Sequence, residues 1–330
     1  MTSTNSAPSR RHILAAGSAA AVSQLLGRSP PASAKASKLG PFQQKSWRVK
    51  FGAFELTTVA DSEAFIDGPY PLIGRNGSEQ EVRHLMRDNL LPETRYQPGF
   101  SPTIINTGNE IILFDAGNGS NGFVPRPQGG WLAAQLGPAG FKPEDIDIVV
   151  LSHGHPDHIG GIIEGGAPLF PNARYVISQV EHDFWAPEGK HTGDLEKFAQ
   201  VYRANSKPVA EKISFLKPGD DVVPGIRAIE AYGHTPGHLM FLIESEGRQI
   251  LFWGDCAHHH VASLARPDWL CVFDTDQEVA AATRKRVFDM VVTDRLCVIG
   301  YHMPFPSIGY LERLPSRGYR WIPHSFQLYL

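Results

Sequence analysis

The stretch Ser152-His153-Gly154-His155-Pro156-Asp157-His158, directly after the apolar run Ile146 to Leu151, constrains this chain more than any other. Three imidazoles and a carboxylate lie too close together for an ordinary turn. Imidazole and carboxylate are the usual ligands for zinc and similar divalent ions, which need several donors converging on one point. An extended segment turns His153 and His155 to one side, and Asp157 and His158 fall on the next turn. One loop can therefore feed two neighbouring ions. The apolar run ahead of it reads as a strand covered on both faces.

Three further candidates occupy one recurring kind of place, just past the end of a strand. His234 follows Ile226 to Glu230, Asp255 closes Ile250-Leu251-Phe252-Trp253-Gly254-Asp255, and His302 follows Val298-Ile299-Gly300-Tyr301. A sheet holds such groups rigidly while leaving them at an open rim. Asp61 and Asp115 also end strands, where a carboxylate can orient a ligand imidazole through its free N–H. His258-His259-His260 follows Asp255 closely and reads as loop at the rim of a pocket.

The remaining pattern is mixed. Trp47 to Lys50 and Phe54 to Ala60 flank Gly52-Ala53 as a hairpin, and Thr103 to Thr107 with Glu110 to Asp115 bracket Gly108-Asn109 as a second. Val180 to Trp185 and Leu195 to Ala204 read as helices, and Thr275-x-x-Glu278 reads as a capping box opening another. Pro218 to Pro224 reads as a turn region, and Cys297 to Gly300 as the last buried strand before His302. Hairpins alternate with αβ units, so the fold class is α/β, with two mixed β-sheets flanked by helices.

Residues 1–34 read as an export segment. Arg10-Arg11 precedes a weakly apolar Ala-rich run to Leu26, and Ala32-Ser33-Ala34 fits an A-x-A cleavage site. This predicts a twin-arginine-type signal and a periplasmic or secreted product, with a linker over 35–46 and the folded domain over 47–330. Net charge is −3; cleavage after Ala34 would leave 28 basic against 34 acidic residues, a charge of −6. Such a balance gives no signal for nucleic acid, and the apolar run is too short to span a bilayer. Three cysteines, Cys256, Cys271 and Cys297, provide no disulfide framework.

His153-x-His155-x-Asp157-His158, followed by His234, Asp255 and His302, resembles the metallo-β-lactamase superfamily, and within it the dinuclear hydrolases of methyl parathion hydrolase and lactonase type. Asp115-Ala116-Gly117 and Gly233-His234-Thr235-Pro236-Gly237-His238 carry the same likeness. The resemblance implies an αββα sandwich. It implies that His153, His155 and His234 hold one ion, that Asp157, His158 and His302 hold a second, and that Asp255 bridges both. Two divalent ions follow, zinc first, with manganese, iron or cobalt compatible with the ligand types. The implied chemistry is cleavage of ester-type bonds in an organophosphorus ester, lactone or aryl ester, with Asp157 and Asp255 catalytic as ligands. Phe123, Trp185 and Phe198 would surround the substrate, and a homodimer is implied. A mononuclear iron member of sulfur dioxygenase type and a β-lactamase are the competing readings.

Overall fold

The computed structural model describes residues 43–330 apart from 316, 325, 327 and 329. The expected export segment over 1–34 and most of the linker lie outside the described residues. Two seven-stranded sheets dominate the rest. The first runs through Ser46–Phe51, Phe54–Val59, Thr103–Asn106, Ile111–Phe114, Ile148–Val150, Arg174–Ser178 and Ile213–Leu216 in that spatial order. Its first four strands pair antiparallel as two hairpins, and the last four are parallel. The second runs through Asp221–Val223, Ile226–Glu230, Leu239–Ser245, Arg248–Phe252, Cys297–Ile299, Ile308–Arg313 and Tyr319–Pro323. All its pairs are antiparallel except Arg248–Phe252 with Cys297–Ile299.

Period-two alternation assigns each strand two faces. Ile105, Ile112, Phe114, Val150 and Val176 of the first sheet meet Ile226, Phe241, Ile243, Phe252 and Ile299 of the second in one buried layer. Phe114 sits at its centre, with ring centroids 5.2 Å from Phe241 and 5.1 Å from Phe252. The intervening residues Ile104, Leu113, Val149 and Ile177 face outward, into a core shared with the helices Leu132–Leu136, Gln179–Trp185 and Gly193–Ser206. On the other side Met240, Leu251, Trp253 and Val298 pack under Val287, Phe288 and Val291 of the helix Gln277–Thr293. Helices on both outer faces of a face-to-face sheet pair make the αββα sandwich. Truncating a ring such as Phe114 to alanine costs about 3–5 kcal/mol in a core of this kind.

Several elements differ from expectation. The helix Gln277–Thr293 is capped by Asp276, whose side chain accepts the Val279 N–H; Thr275 lies one residue too early. Asp221–Val223 is an edge strand inside the expected turn region. The hairpin Ile308–Arg313 with Tyr319–Pro323, which sequence reasoning missed, follows the expected buried strand Cys297–Ile299 and extends the sheet. No helix among the described residues is long and apolar enough to cross a membrane.

Candidate metal centre

The strand ends gather at one rim. Ile148–Val150 delivers the loop whose His155 is still extended, and Pro156 then opens the one-turn helix Pro156–Ile159. Proline suits that position because its fixed φ is already helical and its missing N–H has no partner there. Asp157 and His158 ride on this turn. His234, Asp255 and His302 come from the ends of three strands of the second sheet. All seven expected residues are buried and stand together. His153, His155, His234 and Asp255 bring donor atoms within 4.8 Å of one another, as do Asp157, His158 and His302.

Outer partners fix which nitrogen of His153, His158, His234 and His302 faces inward. His158 Nδ1 donates to Asp115 Oδ2 across 2.8 Å, His234 Nδ1 to Asp274 Oδ1 across 2.9 Å, and His302 Nδ1 to the Gly99 carbonyl across 2.7 Å. Ser152 Oγ gives its proton to Asp115 Oδ2 and accepts from His153 Nδ1 at 3.0 Å. An imidazole with its proton on Nδ1 presents a lone pair at Nε2. The Nε2 atoms therefore meet as acceptors facing acceptors. His234 Nε2 lies 3.1 Å from His153 Nε2 and 2.9 Å from His155 Nδ1. His302 Nε2 lies 2.9 Å from Asp255 Oδ2. His158 Nε2 and Asp255 Oδ1, 3.2 Å apart, are buried with no hydrogen-bond partner.

Such a cluster is repulsive unless positive charge lies between the donors, and N and O donors of this kind are what divalent cations take. Burial, and then the neighbouring His158, hold His153 well below the ordinary imidazole range, and burial and His234 do the same for His155. At His158, His234 and His302 burial is outweighed by Asp255 and the neighbouring carboxylates, which raise those rings, so the cluster draws positive charge to itself. The neutral ring is the form that ligates. The residues present thus fit two cations, with Asp255 between the two groups.

Asp115 meets the expectation of contact with an imidazole, touching His158 directly and His153 through Ser152. Asp61 does not. It accepts from the Asn118 backbone, the Asn118 side chain and the Leu132 backbone at 2.7–2.9 Å, and so closes the 117–132 loop beneath the rim. Burial pushes its carboxyl up to about 6, against the pull of those hydrogen bonds. His238 is occupied at both nitrogens, by the Ala231 carbonyl and the Asp255 N–H.

The cavity over the cluster is walled by Tyr96, Phe100, Phe123, Phe198 and Phe273. Trp185, expected in that wall, lies beneath the loop instead. It is fully buried in the outer core, with its ring 5.5 Å from that of His155 and its indole N–H on Glu181 at 2.5 Å. His258 belongs to the wall. It is buried, its ring stacks on His302 at 5.6 Å, and neither ring nitrogen has a hydrogen-bond partner among the described residues. His259 instead accepts the Val261 and Ala262 N–H groups at the start of the short helix Ala262–Ala265. A second cavity of about 370 Å³ adjoins the first and shares Tyr96, Pro98, Phe100, His258 and His302 with it.

Sequence reasoning missed Asp274, Glu181 and Arg284. Arg284 is fully buried, pairs with Asp274 at 2.9 Å, and donates to the Cys256, Pro267 and Trp269 carbonyls. Asp274 follows no strand, and the other two sit inside helices. A third group, His234, His258 and Asp274, also comes within ligating reach, but Asp274 is already engaged by His234 Nδ1 and Arg284.

Residues 101–293 match the model of the metallo-beta-lactamase superfamily. An N-acyl homoserine lactonase of Bacillus sp is 28% identical over 164 residues, 49% of this chain and 58% of that protein. The chain thus spans little more than half the length of such lactonases. The lactamase-like protein nscB of Aspergillus fumigatus is 28% identical over 288 residues, 86% of this chain and 67% of that one. Among solved structures, the dizinc quorum-quenching lactonase AidC, in complex with a product, superposes with a TM-score of 0.79 at 27% identity, covering 86% of this chain and 98% of its own. The hydrolase AbOPH superposes with a TM-score of 0.78 at 26% identity, covering 87% and 100%.

Proposed function

The chain belongs to the metallo-beta-lactamase superfamily, and we propose on that premise that it is a dinuclear metal-dependent hydrolase of ester-type bonds. One observation carries the reading. Two buried donor groups share a single rim, and Asp255 stands between them with Oδ2 facing His234 and His302 and Oδ1 facing His158. His153, His155 and His234 would hold one cation, Asp157, His158 and His302 the other, and Asp255 both. Two such cations supply Lewis acidity, polarising a carbonyl or phosphoryl oxygen and lowering the pKa of water so that hydroxide is available near neutral pH.

The chain's own part is to fix and enclose. Asp115, Asp274 and Gly99 hold the rings in one tautomer, so the donors need no rearrangement during the reaction. Phe123, Phe198 and Phe273 exclude water from an apolar leaving or acyl group. His258 gives that wall one polar partner for the substrate. Similarity to a dizinc lactonase supports zinc and favours a lactone within the wider class of organophosphorus, lactone and aryl esters. Export through residues 1–34 belongs to the same proposal, and N-terminal sequencing of periplasmic protein tests it.

The test is metal analysis of the purified protein together with rates on N-acyl homoserine lactones, aryl acetates and paraoxon-type triesters. Two ions per chain and chelator-sensitive lactone turnover are expected. One ion per chain, or hydrolysis undiminished by chelator, would sink the reading.

A further inference from the structure

One buried carboxylate outside the ligand set joins the two loops that carry His153, His155 and His234. Glu181 lies on the helix Gln179–Trp185 and is fully buried. Its Oε1 accepts the Gly154 N–H at 2.9 Å and the Trp185 indole N–H at 2.5 Å. Its Oε2 accepts the Thr235 hydroxyl at 2.7 Å and the Gly237 N–H at 2.9 Å. Gly154 separates the two histidines of the first loop; Thr235 and Gly237 follow His234 in the second. Each oxygen therefore serves one loop.

The packing requires this closeness. A Cβ on Gly154 would stand 2.5 Å from the Trp185 ring, and one on Gly237 would stand 2.3 Å from the Glu181 backbone nitrogen. Both loops press against the helix with no room for a side chain. Four donors and no cation surround a carboxylate that burial pushes upward; those same hydrogen bonds oppose the shift. Only an ionised carboxylate accepts from all four at once.

We propose that Glu181 is the positioning residue that brings His234 to His153 and His155, and that it sets the affinity of that one cation site and not of the other. The inference rests on the two-cation reading above. The Asp157, His158 and His302 group has none of its backbone or side chains on Glu181. Its rings are held by Asp115 and Gly99.

Glu181→Gln separates the two sites. An amide has one acceptor oxygen and a donating NH2. Gly154 and the indole can only donate, whereas the Thr235 hydroxyl can turn and accept. The amide oxygen therefore takes the Oε1 place, and the Gly237 N–H loses its acceptor. His234 loosens while His153 and His155 stay.

The experiment strips wild-type protein and Glu181→Gln of metal and titrates each with Zn²⁺ against a chromophoric chelator. Folding is followed by circular dichroism. Wild type is expected to bind two ions tightly, and Glu181→Gln one tightly and one at least tenfold more weakly. Cobalt-substituted protein should show altered visible bands for the weakened ion alone. Two ions at wild-type affinity in folded Glu181→Gln, or equal weakening of both, overturn the clamp and leave the two-cation reading standing. Fewer than two ions in wild type overturn that reading and the clamp with it. Should Glu181→Gln not fold, Thr235→Val removes one bond at Oε2 only. The same one-sided weakening is expected, and unchanged affinities overturn the proposal.

Discussion

The backbone N–H of Asp255 donates to Nε2 of His238 across 3.1 Å, and the other nitrogen of that ring donates to the Ala231 carbonyl across 2.9 Å. His238 therefore faces the cluster without joining it: its one lone pair fixes the backbone of the carboxylate that stands between the two donor groups. Burial holds the ring neutral, down to about 3, with His234 adding to the effect. His238→Ala leaves a buried N–H without an acceptor and a cavity beside Asp255, a loss of roughly 2–4 kcal/mol. Urea unfolding of metal-free protein measures it. A change under about 0.5 kcal/mol, the size of an ordinary surface substitution, would remove His238 from this role.

Asp274 stands between His234 Nδ1 and the Arg284 guanidinium, each at 2.9 Å. Both partners are buried. Asp274→Asn keeps the shape and removes the charge. It leaves Arg284 uncompensated, at a cost of about 3 kcal/mol, and it no longer dictates the His234 tautomer. Outer-shell losses of this kind lower metal affinity roughly 10–100-fold. Chelator competition checks the affinity and thermal unfolding the stability; wild-type values for both would contradict the role.

The donor set was legible because histidine and aspartate recur in one kind of place, just past strand ends. His234, Asp255 and His302 each follow an apolar run, and the sheet pairing then brings three distant segments to one rim. The supporting residues carry no such mark. Glu181 sits among Val180, His182 and Asp183 on a short helix, and Asp274 is placed by the loop before Asp276 caps the long one. Only tertiary packing makes them partners of the site. Trp185 shows the converse: an aromatic on a helix fits a pocket wall or a core, and sequence spacing does not distinguish the two. The final hairpin carries little strand signal, because Pro304, Pro306 and Gly318 flank its strands and Gly309 lies within one.

His259 makes part of the stability pH-dependent apart from the cluster. Its Nδ1 accepts the Val261 and Ala262 N–H groups at 3.0 and 3.1 Å, which a protonated ring cannot do at that atom. Burial, and then His260, bring it down to about 3; an unfolded imidazole titrates near ~6.5. The folded pKa is depressed, so the contribution is complete above the unfolded value and is lost as pH falls toward the folded one. At pH 5 the loss is about 2 kcal/mol. His259→Asn keeps an acceptor oxygen and does not titrate. Its stability relative to wild type should therefore rise by about that amount between pH 7.5 and pH 5 in metal-free protein. Parallel pH curves for the two proteins would show that His259 is not held neutral.

Phe198 and Trp185 both touch the ring of His155. Phe198 is partly exposed in the cavity wall, its ring 5.4 Å from the imidazole. Trp185 is buried below, and its indole N–H is bonded to Glu181. A wall residue meets substrate, so Phe198→Ala should raise KM for an aryl or long-chain ester roughly tenfold, the value of one lost aromatic contact. Metal content should stay at the wild-type level. Trp185→Phe keeps most of the buried surface but deletes a hydrogen bond to a carboxylate, a loss of about 1.5–3 kcal/mol. It should lower stability and metal occupancy, while the fully loaded fraction keeps its KM. Kinetics at saturating metal, paired with metal analysis, separate the two residues. A large KM change in Trp185→Phe with normal occupancy would return that ring to the substrate pocket.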